Sequence, residues 1–216
     1  MMFQISYFEK TLEKFLLDEI SESDAAHDIA HIKRVVNNAI LIADLESQKS
    51  DITIIRVAAW LHDCVILPKN HPDRKKASTL AAKKAESFLS DTVFPTDKIP
   101  AVMHAIEAHS YSAGITPRTI EAKIVQDADR LDALGAIGIA RCIQVGSSFG
   151  ANLYNPDDPF SKNRPLNDKA WIVDHFYEKL FNLPDLMHTE SAKKIALERV
   201  EYMEDFLEML SKEITW

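Results

Sequence analysis

The first 113 residues of this 216-residue chain contain no glycine, and all five glycines fall between Gly114 and Gly150. Strands joined by tight hairpins rely on glycine at their turns, so a long glycine-free stretch with apolar residues three and four apart points to helices. The spacing predicts helices over about 3–20, 28–46 (with a start at Asp24 or Asp28), 52–63, 74–90, 97–109, 119–145, 170–181 and 189–213. Asp28, Asp51 and Thr119 stand where side-chain oxygens can cap helix starts. The run Val57-Ala58-Ala59-Trp60-Leu61 is apolar nearly all round, so its helix belongs inside the core. On the long helix, Gly135 and Gly138 should let another helix or a ligand approach closely. Segment 146–169 holds Gly146, Gly150, Pro156, Pro159 and Pro165 and has no period. A loop of that length is usually functional or flexible, and with Asn152, Tyr154, Asp157 and Asp158 it reads as a lid.

The expected architecture is all-α: a single domain over 1–216, with a metal-binding core at about 24–145 and the loop and helices of 146–216 packed on it. A net charge of -8 argues against a surface that neutralises a nucleic acid polymer, though a local basic pocket can still hold a small anion. Cys64 and Cys142 are the only cysteines and form no C-x-x-C pair, as suits a reducing compartment. Glu9 and Glu13 interrupt any signal-like apolar stretch, and no run approaches the roughly 18 apolar residues of a membrane span. The chain is therefore expected to be cytoplasmic, with no membrane partner; homo-oligomerisation is left open.

Four residues stand out by type and order: His31, then His62-Asp63 at the end of the buried helix, then Asp127 within Asp-Ala-Asp-Arg-Leu-Asp. Neutral imidazole with carboxylate suits a divalent cation, and helices facing one another in a bundle are a common way to build such a site. A cation there would acidify its water and polarise a phosphoryl oxygen, supplying a nucleophile at neutral pH. His27 and His31 are spaced as in the H-E-x-x-H of zinc proteases, but Asp28 stands where Glu is needed, so Asp28 is read as a cap and His27 as a loop residue. His104 and His109 are separated by about 140° on one helix, so at most one of them is expected in the site.

This ordered set resembles the HD-domain superfamily of metal-dependent phosphohydrolases. Lys69-Asn70-His71-Pro72-Asp73-Arg74, His109-Ser110-Tyr111-Ser112 and Asp174-His175-Phe176 with Lys179-Leu180 extend the likeness to a subgroup of small bacterial HD hydrolases over roughly 24–207. The resemblance implies that His31, His62, Asp63 and Asp127 bind one divalent ion (Mn, Mg, Co, Ni, Fe or Zn). It implies a nucleotide or related small phosphate compound as substrate, attacked at phosphorus by hydroxide generated on the metal, with Asp63 positioning the water. Pyrophosphohydrolysis of nucleoside triphosphates and nucleotidase activity are both compatible with it. Substrate contacts are expected from Lys69 and Arg74, in the basic loop that leaves the His-Asp pair, and from His109, Arg130 and Asp132. Competing readings are a di-iron oxygenase, which would use extra histidines, and a sensing domain without turnover.

Overall fold

The computed structural model describes residues 5–19, 28–67 and 71–214. Among them are nine α-helices, short 3-10 turns and one isolated bridge between Asn152 and Trp171. The helices are α1 (Ile5–Glu19), α2 (Ile29–Leu45), α3 (Ile52–Leu61), α4 (Ala77–Ser90), α5 (Ile99–His109), α6 (Ile120–Leu131), α7 (Gly135–Ser148), α8 (Ile172–Glu178) and α9 (Glu190–Ile214). The chain divides into two compact units, Met1–Asp129 and Arg130–Trp216, with the boundary inside α6. None of the described helices is long and apolar enough to cross a membrane.

In the first unit the expected caps form. The Asp28 carboxylate accepts from the His31 amide at 2.7 Å, which starts α2, and Asp51 accepts from Thr53 and Ile54 to start α3. The Thr119 hydroxyl accepts from the Ala122 amide and starts α6. Helix α3 packs against α1, α2 and α5, and Ile54, Ile55 and Val57 to Leu61 are all buried. Each fully buried large apolar side chain stabilises the fold by about 1.5–3 kcal/mol, so this central helix fixes its neighbours. Its one charged residue, Arg56, is not stranded. Arg56 donates twice to Glu9 of α1, at 2.8 and 2.6 Å, and Trp60 donates to the same carboxylate.

The second unit begins with a correction. In place of one helix from Thr119 to about Val145, the chain leaves α6 at Leu131 and starts α7 at Gly135. Leu134 is extended and Gly135 has φ +71°, a left-handed conformation that glycine adopts without the Cβ penalty. The close approach of another helix is present at Gly135, where a Cβ would sit 3.3 Å from Cγ of Arg199 in α9, whereas Gly138 is approached by the Ala133 backbone of the preceding turn. Arg199 donates to the Leu131 carbonyl, serving the open C-terminal end of α6. The irregular segment is tied to α8. Arg164 makes two bonds to the fully buried Asp174 carboxylate, at 2.6 and 2.7 Å, and the Asn167 amide adds a third.

Candidate metal centre

The site lies in the first unit and begins with the way two helices end. Residues at a helix C-terminus leave carbonyls without intrahelical partners. His62 directly follows the last residue of α3, and its Nδ1 lies 2.7 Å from the Ala59 carbonyl. His109 is the last residue of α5, and its Nδ1 lies 2.7 Å from the Ile106 carbonyl. A carbonyl can only accept, so each Nδ1 carries a proton and each Nε2 of the neutral ring presents a lone pair.

Those nitrogens converge with others. His62 Nε2 is 3.4 Å from His31 Nε2. Asp63 Oδ2 lies 3.7 Å from His31 Nε2 and 3.5 Å from His62 Nε2, while Asp63 Oδ1 faces His109 Nε2 at 3.4 Å. From α6, Asp129 Oδ1 stands 3.6 Å from His31 Nε2 and 3.9 Å from His62 Nε2. One ligand-type atom from each of His31, His62 and Asp63 falls within a 4.8 Å cluster. Acceptors crowded this closely repel one another unless protons or a cation lie between them, so the donor set fits a divalent metal ion.

Burial grades across the cluster. His31 and His62 are almost completely buried, whereas the Asp63 and Asp129 side chains are 19% and 31% exposed, so the carboxylates form the side open to water. Burial, only partly opposed by Asp63, pushes His62 down to about 4, so the ring is neutral at neutral pH and ready to bind a metal. Burial alone would raise Asp63, but His62, His109 and His31 outweigh it and hold the carboxyl well below the usual range. Burial would lower His109, yet its bond and charge interaction with Asp63 raise it.

Of the expected ligands, His31, His62 and Asp63 are brought together. Asp129, which is not among the expected ligands, stands within 4 Å of both histidine nitrogens. Asp127 is fully buried two residues earlier on the same helix, about 200° around it from Asp129. The missed residue could have been found from the pattern of α6. Asp127 falls between Ile124 and Leu131 on the buried stripe, whereas Asp129 lies off that stripe and keeps access to water.

The other expected residues separate clearly. His109 is in the cluster; His104 is not, its Nε2 accepting from the Arg118 amide at 2.9 Å. Arg74 opens a short 3-10 turn and donates to the Leu67 carbonyl at 2.9 Å. Lys69 and His27 lie outside the described residues. Arg130 and Asp132 belong to the second unit, where Arg130 donates to the Leu186 carbonyl and the buried Asp132 carboxylate accepts from Arg141.

The chain matches the HD domain family over residues 28–134. It is 33% identical over 201 residues to YpgQ of Bacillus subtilis, covering 90% of this chain and 88% of that one. The crystal structure of YpgQ in complex with ADP superposes with a TM-score of 0.69 at 29% identity, over 97% of this chain and 94% of YpgQ. An HD-superfamily hydrolase from Bacillus thuringiensis superposes with a TM-score of 0.73 at 34% identity, over 97% and 98% of the two chains.

Proposed function

The chain belongs to the HD-domain superfamily of hydrolases, and from that premise we propose that it cleaves a phosphate bond of a nucleotide or related small phosphate compound, using one divalent metal ion. The observation that carries the reading is the convergence of the His31 and His62 Nε2 atoms on Asp63 Oδ2, with both rings buried and the carboxylates open to water. His31, His62, Asp63 and Asp129 hold the ion in this reading. When bound, the ion supplies Lewis acidity toward water and toward a phosphoryl oxygen.

The protein's own groups supply the rest. Asp63 has one oxygen toward the two histidines and the other toward His109, so a single carboxylate links the metal side of the site to its substrate side. We assign Asp63 to orient the attacking water and His109 to face the phosphate. Arg74 uses one of its five N–H groups on Leu67, leaving others for phosphate oxygens, and Lys69 precedes it in the same basic loop. Arg130 and Asp132 are assigned bracing roles, because both already hold partners within the second unit. Binding of ADP by YpgQ supports a nucleotide as the ligand class.

Metal analysis of purified protein, followed by a phosphate- and pyrophosphate-release screen over nucleotides, tests the reading. One ion per chain and turnover, both lost in His62→Ala, are expected. Unchanged metal content and activity in His62→Ala would overturn it, and two tightly held irons per chain would favour the oxygenase reading instead.

A further inference from the structure

Two buried carboxamides outside the ligand set make long-range bonds to the backbone beside it. Asn38 of α2 donates from Nδ2 to the Ala128 carbonyl of α6 at 3.2 Å, and Gln126 of α6 donates from Nε2 to the Ala108 carbonyl of α5 at 2.6 Å. Both side chains are under a tenth exposed. Ala128 immediately precedes Asp129, and Ala108 immediately precedes His109. Each accepting carbonyl lies in the last turn of its helix, where carbonyls lack partners within the helix itself.

The placement on α2 adds to this. Asn38 follows His31 by seven residues, about 20° short of two whole turns, so one face of α2 carries both the ring and the amide. Through Asn38 that face holds α6, and through Gln126 α6 holds α5. Three helices that present His31, Asp129 and His109 are thereby fixed against one another at the residues adjoining the site.

We propose that Asn38 and Gln126 are positioning residues of the metal centre, setting the rotation and axial position of α6 so that Asp129 meets His31 and His62. The proposal rests on the metal reading above. Loss of a group that orients a metal ligand typically weakens metal binding by about 10- to 100-fold.

The test uses Co2+ as the probe on full-length protein, with affinity and visible absorption measured well below the melting temperature. Asn38→Leu and Gln126→Met keep the side-chain size and remove the donor. Both are expected to bind Co2+ about 10- to 100-fold more weakly and with altered absorption bands. Leu207→Ala, a cavity in α9 of the second unit, is the stability control and is expected to keep the wild-type spectrum and affinity. If either carboxamide variant fails to fold, Asn38→Ser and Gln126→Thr, which are too short to reach the carbonyls but admit water, are measured in its place. Variants that lose thermal stability yet bind Co2+ as the wild type does would overturn the positioning role. Wild-type protein that binds no Co2+ would overturn the metal reading and this proposal with it.

Discussion

The assignment of Asp129 over Asp127 is open to a direct comparison, because the two carboxylates are neighbours on one helix and the same Asp→Asn change can be made at each. Asp129 Oδ1 stands 3.6 and 3.9 Å from the two histidine nitrogens, so an ion shared among them feels its full charge at short range. A unit charge about 4 Å from a divalent ion is worth roughly 8 kcal/mol gross at an effective dielectric of about 20. The Asn oxygen still offers a weak ligand, and Asp129 is 31% exposed, so solvent screens part of the loss. A net cost of about 3 kcal/mol, or about a hundredfold in metal affinity, is the expected result for Asp129→Asn. Asp127 is buried on the apolar stripe, so Asp127→Asn is expected to change melting temperature more than metal affinity, which should move by less than about tenfold. Isothermal titration with Mn2+ or Co2+, alongside thermal melts of the metal-free proteins, separates the two effects. Metal binding that survives Asp129→Asn but is lost in folded Asp127→Asn would refute the geometric argument.

Other consequences can be measured independently. In chelator, His62, with its value pushed to about 4 against an ordinary 6.5, is protonated more readily in the unfolded chain, so stability should fall as pH drops from 6.5 toward 4. The full effect is roughly 3 kcal/mol, and His62→Gln should flatten that limb of a melting-temperature profile; an identical limb in the variant would count against it. His109 has the opposite sign, since its raised value gives stability that is present below 6.5 and lost as pH rises through the folded value, so the metal-free protein should be most stable near 6.5 as far as these two groups decide it. Arg164→Met leaves the buried Asp174 without its charge partner, a loss that should appear as earlier melting and faster amide exchange in 152–174. Gly138→Ala would place a Cβ 2.3 Å from the Ala133 carbonyl oxygen, and a loss of about 1–3 kcal/mol by denaturant titration is expected.

What could be read from the sequence followed the strength of each periodic signal. The stripe of α2, the all-apolar α3 and the Asp28, Asp51 and Thr119 caps placed the ligand-bearing helices, because burial and capping act locally and the residues report them directly. The break after Leu131 was not legible. Helical periodicity runs through Asp132, Ala133 and Leu134, and what interrupts it is backbone conformation, the extended Leu134 and the left-handed Gly135, with Arg199 of α9 close by. A glycine in a helical pattern does not announce which contact from more than sixty residues away will exploit it. The carboxylates of α6 are hard to tell apart in the sequence for a related reason. Residue type and order identify a carboxylate-rich turn, but only the direction each side chain takes in the folded core decides which carboxylate reaches water.

His109 sharpens what the His62-Asp63 pair means. Ending a buried apolar helix on histidine does two things at once: it puts the ring at the boundary between core and water, and it places Nδ1 beside a carbonyl that the helix itself has left unpaired. The bond to Ala59 or Ile106 then selects the tautomer whose Nε2 is free, with no further residue required to orient the ring. Both helices that end this way, α3 and α5, deliver their rings to the same point, with the ring centroids of His62 and His109 4.9 Å apart and the planes nearly perpendicular. Between them, the aspartate that follows His62 keeps one oxygen for each side. Position on the terminal turn of an apolar helix is therefore what brings His62 and His109 into the cluster, and His104, earlier on α5, lacks it.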